Sequence, residues 1–182
     1  MAKIVLFLDI DGVIHTRGNS GVELLGSHQG KPLHGCPSVF VKPLLQAIDR
    51  TTTIKPFWLS SGWRQAANVW NQWARISPWS IGYPLSFRQT QFVLGQYRKK
   101  LTLDEVEDAK TIATLYHSPQ WADQIVWIED GFSESAINWS RFDSRVILID
   151  TTHLSDPDLT GIQAWNIELI LQTLAISLAE FY

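Results

Sequence analysis

Residues 3–13 read KIVLFLDIDGV. From Lys3 to Asp9 the chain is continuously apolar rather than alternating, the pattern of a strand buried on both faces of a parallel sheet. The run stops at Asp9-Ile10-Asp11-Gly12-Val13, which sets two carboxylates one residue apart and then a glycine. In α/β proteins the C-terminal ends of parallel strands carry the sites. Two acids held that close repel each other unless a cation sits between them.

Three more segments read as strands: Ile54 to Ser60, Ile125 to Glu129 and Val146 to Ile149. Pro56 weakens the first of these, because proline cannot donate to a ladder. Helical patterns lie between them. Pro37 to Arg50 carries Val41, Leu44, Leu45 and Ile48 on one stripe, with Pro43 as a kink or late start. Trp63 to Ile76 places Ala66, Val69, Trp70 and Trp73 at the spacing of a buried face. Thr102-Leu-Asp-Glu105 has capping-box form and predicts a helix running to about His117. Ser133 to Trp139 predicts a short helix, and Thr160 is placed to cap a final one through Trp165 and Leu178. Strands alternating with helices predict an α/β fold with a mostly parallel sheet, one domain over residues 1–182. Residues 13–36 read as a flap-like loop rich in Gly and His, and residues 77–101 as an irregular insertion with room for a short extra strand.

Composition narrows the function. A hydrophobic share of 45% against 18% charged excludes a disordered chain. A net charge of -3 argues against a strongly basic nucleic-acid-binding domain. Cys36 is the single cysteine, so an intrachain disulfide is impossible and a reducing compartment is expected. The first apolar run is too short for a membrane span and lacks a signal-peptide cleavage site. The expectation is a soluble, cytoplasmic protein with no membrane association and no obligate protein partner.

More acid arrives at the third strand's end, Glu129-Asp130-Gly131, while the second ends Ser60-Ser61-Gly62 directly before the predicted helix. Hydroxyls and free backbone N–H groups at a helix N-terminus form a phosphate cradle. A cation site and a phosphate cradle on one sheet edge point to metal-assisted phosphoryl transfer.

In order and spacing these segments resemble the haloacid dehalogenase-like (HAD) superfamily. The shared pattern is DxDGV after an apolar strand, a hydroxyl ending the next strand, an isolated lysine, then a strand ending in paired acids. WLSSGW, WIED and a Leu-Thr-Gly turn resemble more narrowly a small branch that includes the HAD domains of Swiss Army Knife RNA-repair proteins. The resemblance implies a three-layer Rossmannoid fold with helices on both faces and a minimal cap. It implies a Mg²⁺-dependent phosphomonoester hydrolase acting through an aspartyl phosphate. Asp9 would be the nucleophile and Asp11 the general acid and base. Asp9 and Asp130 would hold Mg²⁺ through carboxylates and Asp11 through its backbone carbonyl, with Glu129 behind them. Ser60 would hydrogen-bond the phosphoryl group, and Lys110 would neutralise charge on it and on Asp9. Either Ser60 or Ser61 can face the phosphate, and Lys99 and Lys100 compete with Lys110.

Around this set, Ser61, Gly62, Arg64 and His15 are candidate substrate contacts. His15, His28, His34 and Cys36 match no tetrahedral zinc spacing. Trp63, Trp70 and Trp73 read first as core, with Trp63 placed to border the site. Arg98-Lys99-Lys100 reads as a solvated face or as a contact for a polyanion. The partner expected is therefore a phosphorylated substrate. One alternative is an end-phosphatase for nucleotides or polynucleotides, and a second is a catalytically silent binding module on the same fold.

Overall fold

A computed structural model describes residues 3–17, 21–63, 66–97 and 109–181. Strand β1 (Ile4–Leu8) is buried at every position. It is buried because it is central. Strand β4 (Ile54–Trp58) pairs with it in parallel on one side, and β6 (Gln124–Glu129) on the other. Strand β7 (Val146–Asp150) extends the sheet past β6, and β5 (Ser80–Ile81) extends it past β4. The order is β5-β4-β1-β6-β7, all parallel. This is a Rossmann-like arrangement, and it carries the ends of β1, β4 and β6 to one edge.

Alternation along β1 divides the core. Ile4, Leu6 and Leu8 face one layer with Val126 and Ile128 of β6. That layer is closed by α1 (Val41–Arg50), α2 (Ala67–Ala74), α6 (Ile167–Thr173) and α7 (Leu178–Phe181). Val5 and Phe7 face the other layer with Phe57 and Trp127. Helices α3 (Phe87–Tyr97), α4 (Ala109–His117) and α5 (Glu134–Phe142) cover that side. Helices on both faces therefore follow from the two-sided hydrophobicity of β1. Each of its buried side chains contributes roughly 1.5–3 kcal/mol.

Pro56 sits in the middle of β4 without cost to the ladder. Leu59 N–H donates to Leu8 C=O, so odd positions face β1 and Pro56 faces away. On that side β5 pairs only with Phe57 and Trp58, and no donor is missed. Pro43 lies in the first turn of α1, where the N–H has no partner within the helix.

Four sequence expectations change. Residues 13–36 contain an antiparallel hairpin, β2 (Glu23–His28) and β3 (Lys31–Gly35), rather than a loop without strands. Gln29 and Gly30 both have positive φ, 51° and 76°, the two-residue turn that suits the twist of paired strands. The stem closes where Thr16 N–H donates to Cys36 C=O at 3.0 Å. Residues 77–101 contain β5, the short extra strand expected there, and also the whole of α3, which was not expected. Helix α2 begins at Ala67, four residues later than the pattern placed it. Thr160 caps nothing: α6 starts at Ile167, and residues 160–162 act as a seam. There Arg17 N–H donates to Thr160 C=O, Gly161 N–H to Thr151 C=O and Ile162 N–H to Val13 C=O. Ala175, at φ 53°, then separates α6 from α7. Ser133 does cap α5, accepting from Ala136 N–H at 3.2 Å. The Thr102–Glu105 capping box lies outside the described residues, as do Arg64 and Arg98-Lys99-Lys100. Among the described residues no helix is long and apolar enough to cross a membrane.

Trp58 is fully buried, and its indole N–H donates to Asn71 Oδ1 on α2 at 2.9 Å. Replacing Asn71 with Leu keeps the volume and removes the acceptor. An orphaned buried donor costs about 1–3 kcal/mol. Asn71→Leu should lower the unfolding free energy by that amount in denaturant titrations, with no change in the slope of the transition.

Candidate functional site

Asp9 prolongs β1 by one residue, its N–H donating to Ile128 C=O at 3.2 Å. The chain then winds sharply, with the N–H groups of Val13, Ile14 and His15 all donating to Ile10 C=O. Gly12 makes the turn at φ +74° and leaves the space that Asp130 fills. A Cβ at Gly12 would lie 1.9 Å from Asp130 Oδ2. Two hydroxyls lock this loop to the end of β6. Thr151 Oγ donates to Gly12 C=O at 3.0 Å, and Thr152 Oγ donates to Asp130 C=O at 3.1 Å. Neither threonine was singled out from sequence, where they form only part of a polar stretch after VILID.

Three acids meet here. One carboxylate oxygen from each of Asp9, Glu129 and Asp130 lies within 4.8 Å of the others. Lys110, from α4, reaches into the group. Its Nζ stands 3.1 Å from Asp9 Oδ2 and 2.8 and 2.9 Å from the two Glu129 oxygens. Trp127 Nε1 also donates to Glu129 Oε2, at 3.3 Å. Glu129 is thus fully partnered, whereas Asp9 Oδ1 is buried with no hydrogen-bond partner. Sequence reading set Glu129 behind Asp130, and the geometry gives it a second task as the holder of Lys110. Lys99 and Lys100 lie outside the described residues.

The charges are unbalanced. Burial, and then the Asp9 charge, push the Glu129 carboxyl up to about 9. Burial likewise raises Asp9, against the pull of Lys110. For Lys110 burial works downward, but the Asp9 and Glu129 charges outweigh it and its pKa is raised. Three carboxylates face Lys110 at the centre and, at the margin, Arg17, whose guanidinium lies 3.7 Å from Asp130 Oδ2. A hard divalent cation fits this donor set: oxygen ligands only, excess negative charge and one orphaned carboxylate oxygen. The coarse expectation of a metal-binding acidic cluster therefore stands, with Asp9, Glu129 and Asp130 as its candidate ligands.

Asp11 turns its carboxylate elsewhere, outside the three-acid group. Trp63 Nε1 donates to its Oδ1 at 2.8 Å, and Ser60 Oγ lies 3.5 Å from its Oδ2. His15 Nδ1 stands 3.7 Å from Oδ1, and its ring packs edge-on to Trp63 at 5.8 Å. Ser60 is buried with its hydroxyl turned toward Asp11, while Ser61 and Gly62 are exposed. Ser60 to Gly62 do not form a helix N-terminus, since α2 starts only at Ala67. Instead Ser60 Oγ accepts from Trp63 N–H at 3.2 Å and fixes a turn. Gly62 permits the approach, because a Cβ there would meet Asp11 Oδ2 at 2.7 Å. Arg64 lies outside the described residues. Nothing in the sequence setting of Arg17 marks it.

Side-chain exposure rises from 3% at Asp9 through 21% at Asp130 to 46% at Asp11. Burial therefore grades across the site, from the enclosed Asp9 carboxylate to the half-exposed carboxylate of Asp11. No family model, no curated protein and no solved structure matches the chain.

Two outcomes test this geometry. Glu129 is a carboxyl raised in the folded state, so its contribution to stability is fully present below its unfolded value of 4.5 and is lost as pH climbs through about 9. In chelator the melting temperature should fall across that range, and Glu129→Gln should flatten the fall. Gly12→Ala should displace Asp130, and any divalent-cation binding read by calorimetry should weaken at least about tenfold.

Proposed function

We propose that this chain is a divalent-cation-dependent phosphomonoester hydrolase of the HAD type with a minimal cap, Asp9 being the nucleophile. The observation that carries the reading is the Asp9 carboxylate at the end of the central parallel strand. One of its oxygens is held by Lys110 and the other is free, with Glu129 and Asp130 beside it.

Asp9, Glu129 and Asp130 are the residues that would hold Mg²⁺. Bound there, the ion would polarise the phosphoryl oxygens and offset the charge gathered in the transition state. The chain's own groups do the rest. The Asp9 carboxylate attacks phosphorus, forming an O–P bond as the ester O–P bond breaks. The departing alkoxide takes a proton from Asp11, whose carboxylate is half-exposed. Asp11 then removes a proton from water, whose oxygen attacks the aspartyl phosphate. The Asp9–phosphate bond breaks, and inorganic phosphate and free Asp9 result. Lys110 keeps Asp9 oriented and balances the charge it shares with the phosphoryl group. Trp63 holds Asp11 in one rotamer, and Ser60 supplies a hydroxyl beside it.

Purified protein with Mg²⁺ should hydrolyse p-nitrophenyl phosphate and stop when chelator is added. Ca²⁺ should not restore turnover, because its larger coordination sphere draws Asp9 out of line for attack. Asp9→Asn should abolish turnover while the protein stays folded by circular dichroism. Asp11→Asn should lower kcat by about 10²–10⁴ and still bind Mg²⁺. Turnover persisting in Asp9→Asn would remove the nucleophile assignment.

A further inference from the structure

Beside the acidic site, past the end of β7, lies a groove of about 530 Å³. It is large enough for a small-molecule group. Thr152 lines it, and the hydroxyl of that residue donates to the Asp130 carbonyl, so one hydrogen bond joins the groove wall to the candidate site. Its far wall is Trp165, with Leu169 from α6 and Leu154 at the rim. Trp165 is 45% exposed, Leu169 55% and Leu154 fully so. Single exposed apolar residues are ordinary, but three of them around one concavity next to a polar site are a recognition surface.

The wall is built rather than loose. His153 packs against Trp165 at 4.8 Å and 72°, fixing the indole. His153 N–H donates to Leu159 C=O, which closes the loop carrying it. Asp150 gives the groove its polarity. One of its oxygens accepts from Thr152 N–H at 2.8 Å, and its exposed carboxylate lines the groove. A carboxylate there repels a second phosphate and accepts from N–H or O–H. The groove therefore fits a flat, uncharged ring that carries a hydrogen-bond donor.

We infer that Thr152, Asp150 and Trp165 form the leaving-group subsite, and that it selects phosphate monoesters whose alcohol carries a planar aromatic ring with an N–H donor. This rests on the hydrolase reading above. The phosphoryl group sits at Asp9, the linker crosses Thr152 and the ring stacks on Trp165.

A matched pair of probes isolates the ring: adenosine 5′-monophosphate carries the base at C1′, where ribose 5-phosphate carries only the anomeric hydroxyl. The full chain with Mg²⁺ should favour the nucleotide in kcat/KM by about tenfold or more, the size of one aromatic stacking contact. Trp165→Leu, which keeps an apolar side chain, should collapse that ratio, mostly through KM. Trp165→Phe should restore much of it. Calorimetry on Asp9→Asn with Mg²⁺ reads binding apart from turnover. There the nucleotide should bind more tightly than ribose 5-phosphate, and Trp165→Leu in that background should erase the difference. If neither probe is hydrolysed, the hydrolase reading fails and the binding difference alone decides the subsite. Equal handling of the two probes, or a preference untouched by Trp165→Leu, would overturn the inference.

Discussion

Two carboxylates and one ammonium share the buried ends of β1 and β6, and the surrounding loops answer to that imbalance. Lys110 spans Asp9 and Glu129, but one lysine cannot neutralise both acids and also Asp130. A low-dielectric setting makes the residual charge expensive. Without a cation, burial and then the Asp9 charge push the Glu129 carboxyl up to about 9. With a cation, the same residues can all ionise. A cluster with this excess of negative charge could bind a cation, and the excess is confined to a few side chains at one sheet edge.

The rest of the architecture keeps those side chains from moving apart. Parallel pairing sets β1 between β4 and β6 in a register fixed by two buried faces, so a slip would expose Phe7 or Leu6. Thr151 is fully buried and bonds both the Gly12 and Glu129 carbonyls, tying two strand ends together without adding charge. Repulsion between the acids is thus resisted by hydrogen bonds and packing that lie outside the reach of solvent.

The central strand was readable from its apolar run, and the acids from their place at its end. Reading was accurate wherever burial alone determines structure. It was less so where tertiary contacts override local signals. Thr160 looks like a cap, yet its carbonyl takes the Arg17 N–H and the helix starts later. The hairpin escaped notice because Gln29-Gly30 lacks the common Asn-Gly signature and a bulge between Leu24 and Gly26 breaks the alternation of β2. Trp63 was read first as core. Its ring does pack on Trp70, yet its N–H belongs to Asp11, a division of labour that no one-dimensional pattern encodes. Arg17 and Thr151 had no signal at all, since their importance comes from what the folding chain brings near them.

The hairpin leaves and rejoins the body at nearly one point, Thr16 beside Cys36. The chain between those two residues is an excursion from the sheet, anchored back by Arg17 on Thr160 and by Leu25 and Leu33 in the core. Residues added at its tip would cost the sheet only a slowly growing loop entropy. A lineage carrying this scaffold could extend the hairpin into a longer lobe beside the site without shifting a single register in the sheet. The chemistry and the means of choosing what reaches it could then evolve on separate clocks.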